Sequence, residues 1–154
     1  MSKPKQIVVT TKVIRHHPEL SRLVTIPFAD IDPWKLDSTT VVVGTINQVE
    51  IGRRSLKRWD NRQCWWIDLP GPLCKKPGID EGDEVTLKIG LASEDLPEEL
   101  SSLLQKSQLA RERWDALTRN QQRMLREMII EAKTSATRTR RATRLLTQSF
   151  DSQS

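Results

Sequence analysis

The hydrophobic pattern of this chain changes period once, at Asp95, and that change limits the folds open to it. Up to residue 94, short runs rich in Val, Ile, Thr and Trp alternate with Pro, Gly, Asp and Asn, which is the composition of strands separated by turns. The runs fall at 7–14, 23–26, 40–46, 49–54, 64–69 and 85–91, and Gly82-Asp83 reads as the turn feeding the last of them. Six short antiparallel strands leave unpaired edges unless the sheet closes on itself, so a small six-stranded β-barrel is the expected architecture.

Beyond Asp95 glycine is lacking and Pro97 is the single proline. Apolar residues there recur at helical spacing: Leu96, Leu100, Leu103 and Leu104 form one stripe, and Leu109, Ala110, Trp114 and Leu117 a second. Met124, Leu125, Met128, Ile129 and Ala132 form a third, and Ala142, Leu145 and Leu146 mark a last helix over about residues 135–148. Asp95 with Glu98, and Thr118 with Gln121, have the spacing of a capping box and predict two helix starts. The expected class is therefore α+β, with a barrel domain at 1–94, a bundle of three to four short helices at 95–150 and a disordered tail at 151–154.

Composition bounds the function. A 154-residue chain with 36% hydrophobic residues supports two small cores better than one large one. Its 25 Lys and Arg against 20 Asp and Glu give a net charge of +5, which favours anionic partners without establishing nucleic-acid binding. Residues 1–17 hold only Ile7-Val8-Val9 as an apolar run, too short for a secretory signal, and no stretch has membrane-spanning length, so a cytoplasmic location is expected. Cys64 and Cys74, two in number and not in a C-x-x-C arrangement, are expected to be free thiols.

No residue set carries a recognisable reaction. His16-His17 are adjacent, which on a strand sends the two rings to opposite sides, and the nine residues between the cysteines do not match structural zinc spacing. No metal and no cofactor is expected, and neither a nucleophile motif nor a phosphate loop occurs. Binding residues are easier to nominate. Trp59, Trp65 and Trp66 lie among Arg53, Arg54, Lys57, Arg58 and Arg62, the mixture of rings and cations that an unpaired nucleic-acid strand or an anionic aromatic ligand would use. Because Trp65 and Trp66 are adjacent on a strand, one of them is expected in the core. From Lys133 to Arg144, five cations occur without a carboxylate. Arg140, Arg141 and Arg144 cluster on one side, expected to face solvent and to form either an anion site or a solvated basic helix. Arg138 falls near the apolar stripe and is expected to need a structural ion pair, with Glu127, Glu131 or a barrel acid. The anion-binding candidates are thus Arg53, Arg54, Arg62, Trp65, Arg140, Arg141 and Arg144, with no catalytic residue among them.

Ala132-Lys133 followed by Thr137-Arg138-Thr139-Arg140-Arg141, together with Asp95-Leu96-Pro97-Glu98-Glu99-Leu100 and the 117–133 helix pattern, resembles the C-terminal helical module of the YdeI/OmpD-associated, or bacteriocin-protection, proteins. The order Val43-Gly44-Thr45-Ile46-Asn47, Arg54-Ser55-Leu56, Leu73-Cys74-Lys75-Lys76-Pro77-Gly78-Ile79 and Gly82-Asp83-Glu84-Val85 is similar to the small β-barrel domain of unknown function that accompanies that module. Where the family often has a Gly-rich turn before the strand at 64–69, this chain has Trp59-Asp60-Asn61-Arg62-Gln63. The resemblance implies a bacterial, non-enzymatic accessory protein concerned with stress tolerance or protection from bacteriocins and antimicrobial peptides. Its partner would be a protein or a small anionic ligand, and nucleic acid is the second reading.

Overall fold

The structure, a computed structural model, describes residues 5–148. The expected tail at 151–154 lies outside them. The chain divides between Ser93 and Glu94 into two compact units, each with its own core.

The first unit holds seven strands: β1 (Ile7–Ile14), β2 (Arg22–Pro27), β3 (Thr40–Ile46), β4 (Val49–Glu50), β5 (Arg54–Trp59), β6 (Cys64–Leu69) and β7 (Glu84–Leu91). Every pairing is antiparallel, in the order β3-β5-β6-β2-β1-β7, and β7 pairs back onto β3. Six strands therefore close into a barrel, with β4 as a two-residue addition to β3. Alternation sorts the side chains: Val85, Leu87 and Ile89 of β7 are buried while Glu84, Thr86 and Lys88 between them are exposed. Trp65, Ile67 and Leu69 of β6 face the same core, as do Ile7, Val9 and Val13 of β1. A short helix α1 (Phe28–Ile31) and a 3-10 turn (Asp32–Trp34) add Ile31 and Trp34 to that core, and α2 (Gly71–Lys75) adds Cys74.

One strand departs from expectation. The run at 49–54 is not a single strand, because Asn47 and Gln48 both have positive φ and close a tight hairpin that ends at Glu50. Gly52, at φ 70, then turns the chain, and a new strand starts at Arg54 instead of ending there. The Asn47 side chain ties this hairpin to the last strand, its Oδ1 accepting from Thr86 N–H at 2.8 Å.

Gly44 permits closure. β3 pairs with β5 through Thr40–Val42 and with β7 from Val42 to Ile46, which sets Gly44 opposite Ile89. A Cβ at position 44 would land on the carbonyl oxygen of Lys88, so only glycine lets the two backbones approach.

The second unit has four helices, α3 (Glu98–Lys106), α4 (Gln108–Ala116), α5 (Arg119–Ile130) and α6 (Ser135–Thr147), around Leu100, Leu104, Ala110, Trp114, Leu125, Ile129, Ala142 and Leu146. Hydroxyl caps begin three of them. Ser107 accepts from Ala110 N–H and Thr134 from Thr137 N–H, while Thr118 and Gln121 form the full capping box expected. Asp95 does not cap α3. The helix starts three residues later, with Pro97 at its N-cap, because a residue preceding proline is driven out of the helical region and Leu96 cannot take part in a first turn. Leu109, Met124 and Met128 also leave their expected stripes, being 45%, 51% and 41% exposed. Each is one residue, or about 100° of helix, away from a neighbour that does face the core: Ala110, Leu125 and Ile129.

Two tests follow from this architecture. Gly44→Ala should lower the unfolding free energy by about 1–3 kcal/mol in urea titration, the usual cost of forcing extra atoms into a packed site. Wild-type stability for that variant would remove the closure argument. Residues 94–154 expressed alone should give a helical circular dichroism spectrum without a strand signature, since their core is complete within the unit.

Candidate functional site

The arginines of α6 divide into two pairs by what their guanidinium groups meet. Arg138 points at α3: its Nε lies 3.1 Å from Glu99 Oε1 and its Nη1 donates to the carbonyl of Ala132 at 2.9 Å. Glu99 also accepts from the Ser135 hydroxyl at 2.8 Å, so the first turn of α6 is fastened to the first turn of α3. The expected partners of Arg138 are therefore corrected, since Glu127 faces Arg126 at 3.0 Å and Glu131 faces Arg141 at 3.2 Å. Glu99 sits at the start of α3, which α6 packs alongside, and sequence spacing along α5 carried no sign of that pairing.

Arg141 is likewise committed, and its expected position toward solvent is corrected. It is half-buried and donates to the carbonyl of Met128, near the end of α5, at 2.8 Å, where a cation suits the helix dipole. Arg140 and Arg144 remain. Both are exposed and one turn apart, and neither meets a carboxylate among the described residues. Arg140 donates to the Thr137 hydroxyl at 3.0 Å. With Thr137, Thr139 and Thr143 they line an open depression on this face, offering guanidinium and hydroxyl donors together.

The barrel candidates separate in the same way. Trp65 is 1% exposed, packed edge-on to Phe28 at 6.3 Å, and cannot stack on a ligand. It is Trp66, facing outward from the next position, and Trp59 at the end of β5 that remain half-buried. Arg53 donates to the Ser93 carbonyl at 2.9 Å. Arg54 has the same strand parity as core Leu56, and its Nε is buried without a hydrogen-bond partner. Only Arg62 of the four nominated barrel residues reaches the surface rings, its guanidinium 4.7 Å from the Trp59 centroid. His16, in the loop after β1, meets the same ring edge-on at 5.2 Å.

Cys64 and Cys74 are buried free thiols, and burial pushes each thiol up from its ordinary range, which keeps the reactive thiolate scarce. Among the described residues no three His, Cys, Asp or Glu side chains are grouped so as to hold a metal ion, and no helix is long and apolar enough to cross a membrane.

The chain is thus a closed antiparallel barrel unit followed in sequence by a compact helical unit. Residues 95–150, the helical unit, match the family model described as Bacteriocin-protection, YdeI or OmpD-Associated, which is what this part of the chain is similar to. Neither the curated proteins nor the solved structures contain a match to the chain.

The α6 fastening has a pH signature. The Ser135 hydroxyl, its own backbone amide and Arg138 together hold the Glu99 carboxyl below the usual carboxylate range. A carboxyl whose pKa is depressed on folding stabilises the fold above its unfolded value of about 4.3 and loses that contribution as pH falls through the lower folded value. Melting curves of Glu99→Gln should therefore fall less steeply with acidification below about pH 5 than those of the parent. Arg138→Ala should cost about 1.5–3 kcal/mol, the range for hydrogen bonds to charged groups, against under about 0.5 kcal/mol for Arg140→Ala or Arg144→Ala. Equal losses at the three arginines would contradict this division.

Proposed function

We propose that the chain is a non-enzymatic accessory protein that binds an anionic ligand or an acidic protein surface through the exposed face of α6. The observation that carries this reading is the division of the arginines. Arg138 and Arg141 are held by Glu99 and Glu131, whereas Arg140 and Arg144 stand on one face with threonine hydroxyls beside them. Two arginines four residues apart, about 6 Å of helix rise, with flanking hydroxyl donors, suit a carboxylate pair or a phosphoryl group. The net charge of +5 adds a long-range attraction for such partners.

The matching family model is described as Bacteriocin-protection, which favours a protective role for this binding; we place that role, against bacteriocins, antimicrobial peptides or related stress, in the cytoplasm of a bacterium. Partner recognition rather than chemistry is then the work of the helices, with α3 and α5 fixing α6 so that its outer face is presented rigidly.

Heparin serves as the polyanion that tests this. The full chain should be retained on immobilised heparin at low salt, and the double variant Arg140→Ala/Arg144→Ala should elute at clearly lower salt with an unchanged melting transition. Identical elution of parent and variant would remove α6 from the reading.

A further inference from the structure

The outer wall of the barrel carries an aromatic platform that the α6 face does not use. Trp66 stands in the middle of β6 and Trp59 at the end of β5, with ring centroids 6.4 Å apart and planes at 63°. The register explains the grouping. Lys57 lies opposite Trp66 and Trp59 opposite Cys64, so the outward-facing residues of the two strands converge beside the hairpin loop at Asp60–Arg62. His16 closes one side of Trp59.

The charges on this platform are of one sign. Lys57 Nζ lies 4.5 Å from the Trp66 centroid and the Arg62 guanidinium 4.7 Å from that of Trp59. Neither cation meets a carboxylate among the described residues, whereas neighbouring Arg58 is paired with Asp60 and stacks on Phe28 instead. The barrel does not need these two indoles to fill its interior, since Trp34 and Trp65 already occupy the core. Half-buried rings with free cations at their faces are the combination that binds an unpaired nucleic-acid strand: bases stack on the indoles and phosphates meet the cations. A duplex, whose base faces are already stacked on one another, offers no such contact.

We propose that Trp59, Trp66, Lys57 and Arg62 form a second binding site, on the barrel, for single-stranded nucleic acid. Arg62, exposed on its loop, is the cation free to leave the Trp59 face for a phosphate as a base takes its place. The site shares no residue with the α6 face, so either can fail without the other.

The test uses the full chain carrying Arg140→Ala/Arg144→Ala, which removes the α6 cations, and an end-labelled mixed-sequence single-stranded oligonucleotide followed by fluorescence polarisation. Binding should persist at low salt and weaken linearly in log affinity against log salt. Trp59→Ala should weaken it about tenfold or more, Trp59→Phe should recover most of the loss, and a strand with abasic positions should bind the parent as weakly as the intact strand binds Trp59→Ala. Arg62→Ala, at an exposed loop position, should weaken binding severalfold with an unchanged melting transition, which separates loss of contact from loss of fold. The proposal is overturned if the oligonucleotide does not bind, if intact and abasic strands bind alike, or if Trp59→Ala and Arg62→Ala leave the affinity unchanged.

Discussion

Pairing of β7 with both β1 and β3 is the constraint on which the first unit rests. A strand joined to one neighbour leaves an open sheet with exposed polar edges; joined to two, it closes the cylinder and gives every inward residue a surrounded position. The core of Val24, Ile26, Leu56, Trp65, Ile67, Leu87 and Ile89 exists only because of that closure. So does the outer wall, since inward residues at alternate positions oblige their neighbours to face out. Trp66 is a surface residue because Trp65 and Ile67 are core residues. The aromatic platform is a consequence of the same register that fills the barrel.

In the second unit the corresponding role belongs to the Glu99 carboxylate. It receives the Ser135 hydroxyl and the Arg138 guanidinium at the start of α6, while Arg141 reaches the end of α5. Exposed ion pairs contribute little, but Arg138 and Glu99 are mostly covered and Arg138 also satisfies a backbone carbonyl. Two contacts at different points along α6 fix its rotation about its own axis. Fixed rotation decides which arginines turn outward, and a basic sequence thereby acquires one face that is free and one that is not.

Much of the architecture was legible because it depends on period and turn chemistry, which are local. Strand alternation revealed β1, β3 and β6 with their observed limits, and Thr118 with Gln121 announced α5. Where local rules competed, reading failed. The run at 49–54 has strand composition throughout, yet positive φ at Asn47 and Gln48 ends one pairing and Gly52 begins another. Asp95 and Glu98 have capping-box spacing, yet Pro97 prevents the turn they would cap. The site was less legible than the fold. Alternation required one of Trp65 and Trp66 to be inside but did not say which, and the nomination of Trp65 for binding chose the buried one. Helix angle alone placed Arg140, Arg141 and Arg144 together, whereas the approach of α5 separates Arg141 from the other two.

Arginine count is thus a poor measure of where this chain can bind. The basic stretch of α6 and the basic stretch of β5 look alike in sequence, and in both about half of the cations are committed within the fold. Arg138, Arg141, Arg53 and Arg58 have carbonyl or carboxylate partners, and their positive charge is already answered nearby. The remainder includes Arg140 and Arg144 on the helix and Lys57 and Arg62 on the barrel, the cations to which the two proposed binding sites are assigned. These two remainders differ in what surrounds them. Hydroxyls beside the first favour a ligand that accepts hydrogen bonds, and indoles beside the second favour one with flat apolar faces as well as charge. On the two proposals, charge draws anions to both surfaces and the neutral neighbours of the cations give each its selectivity.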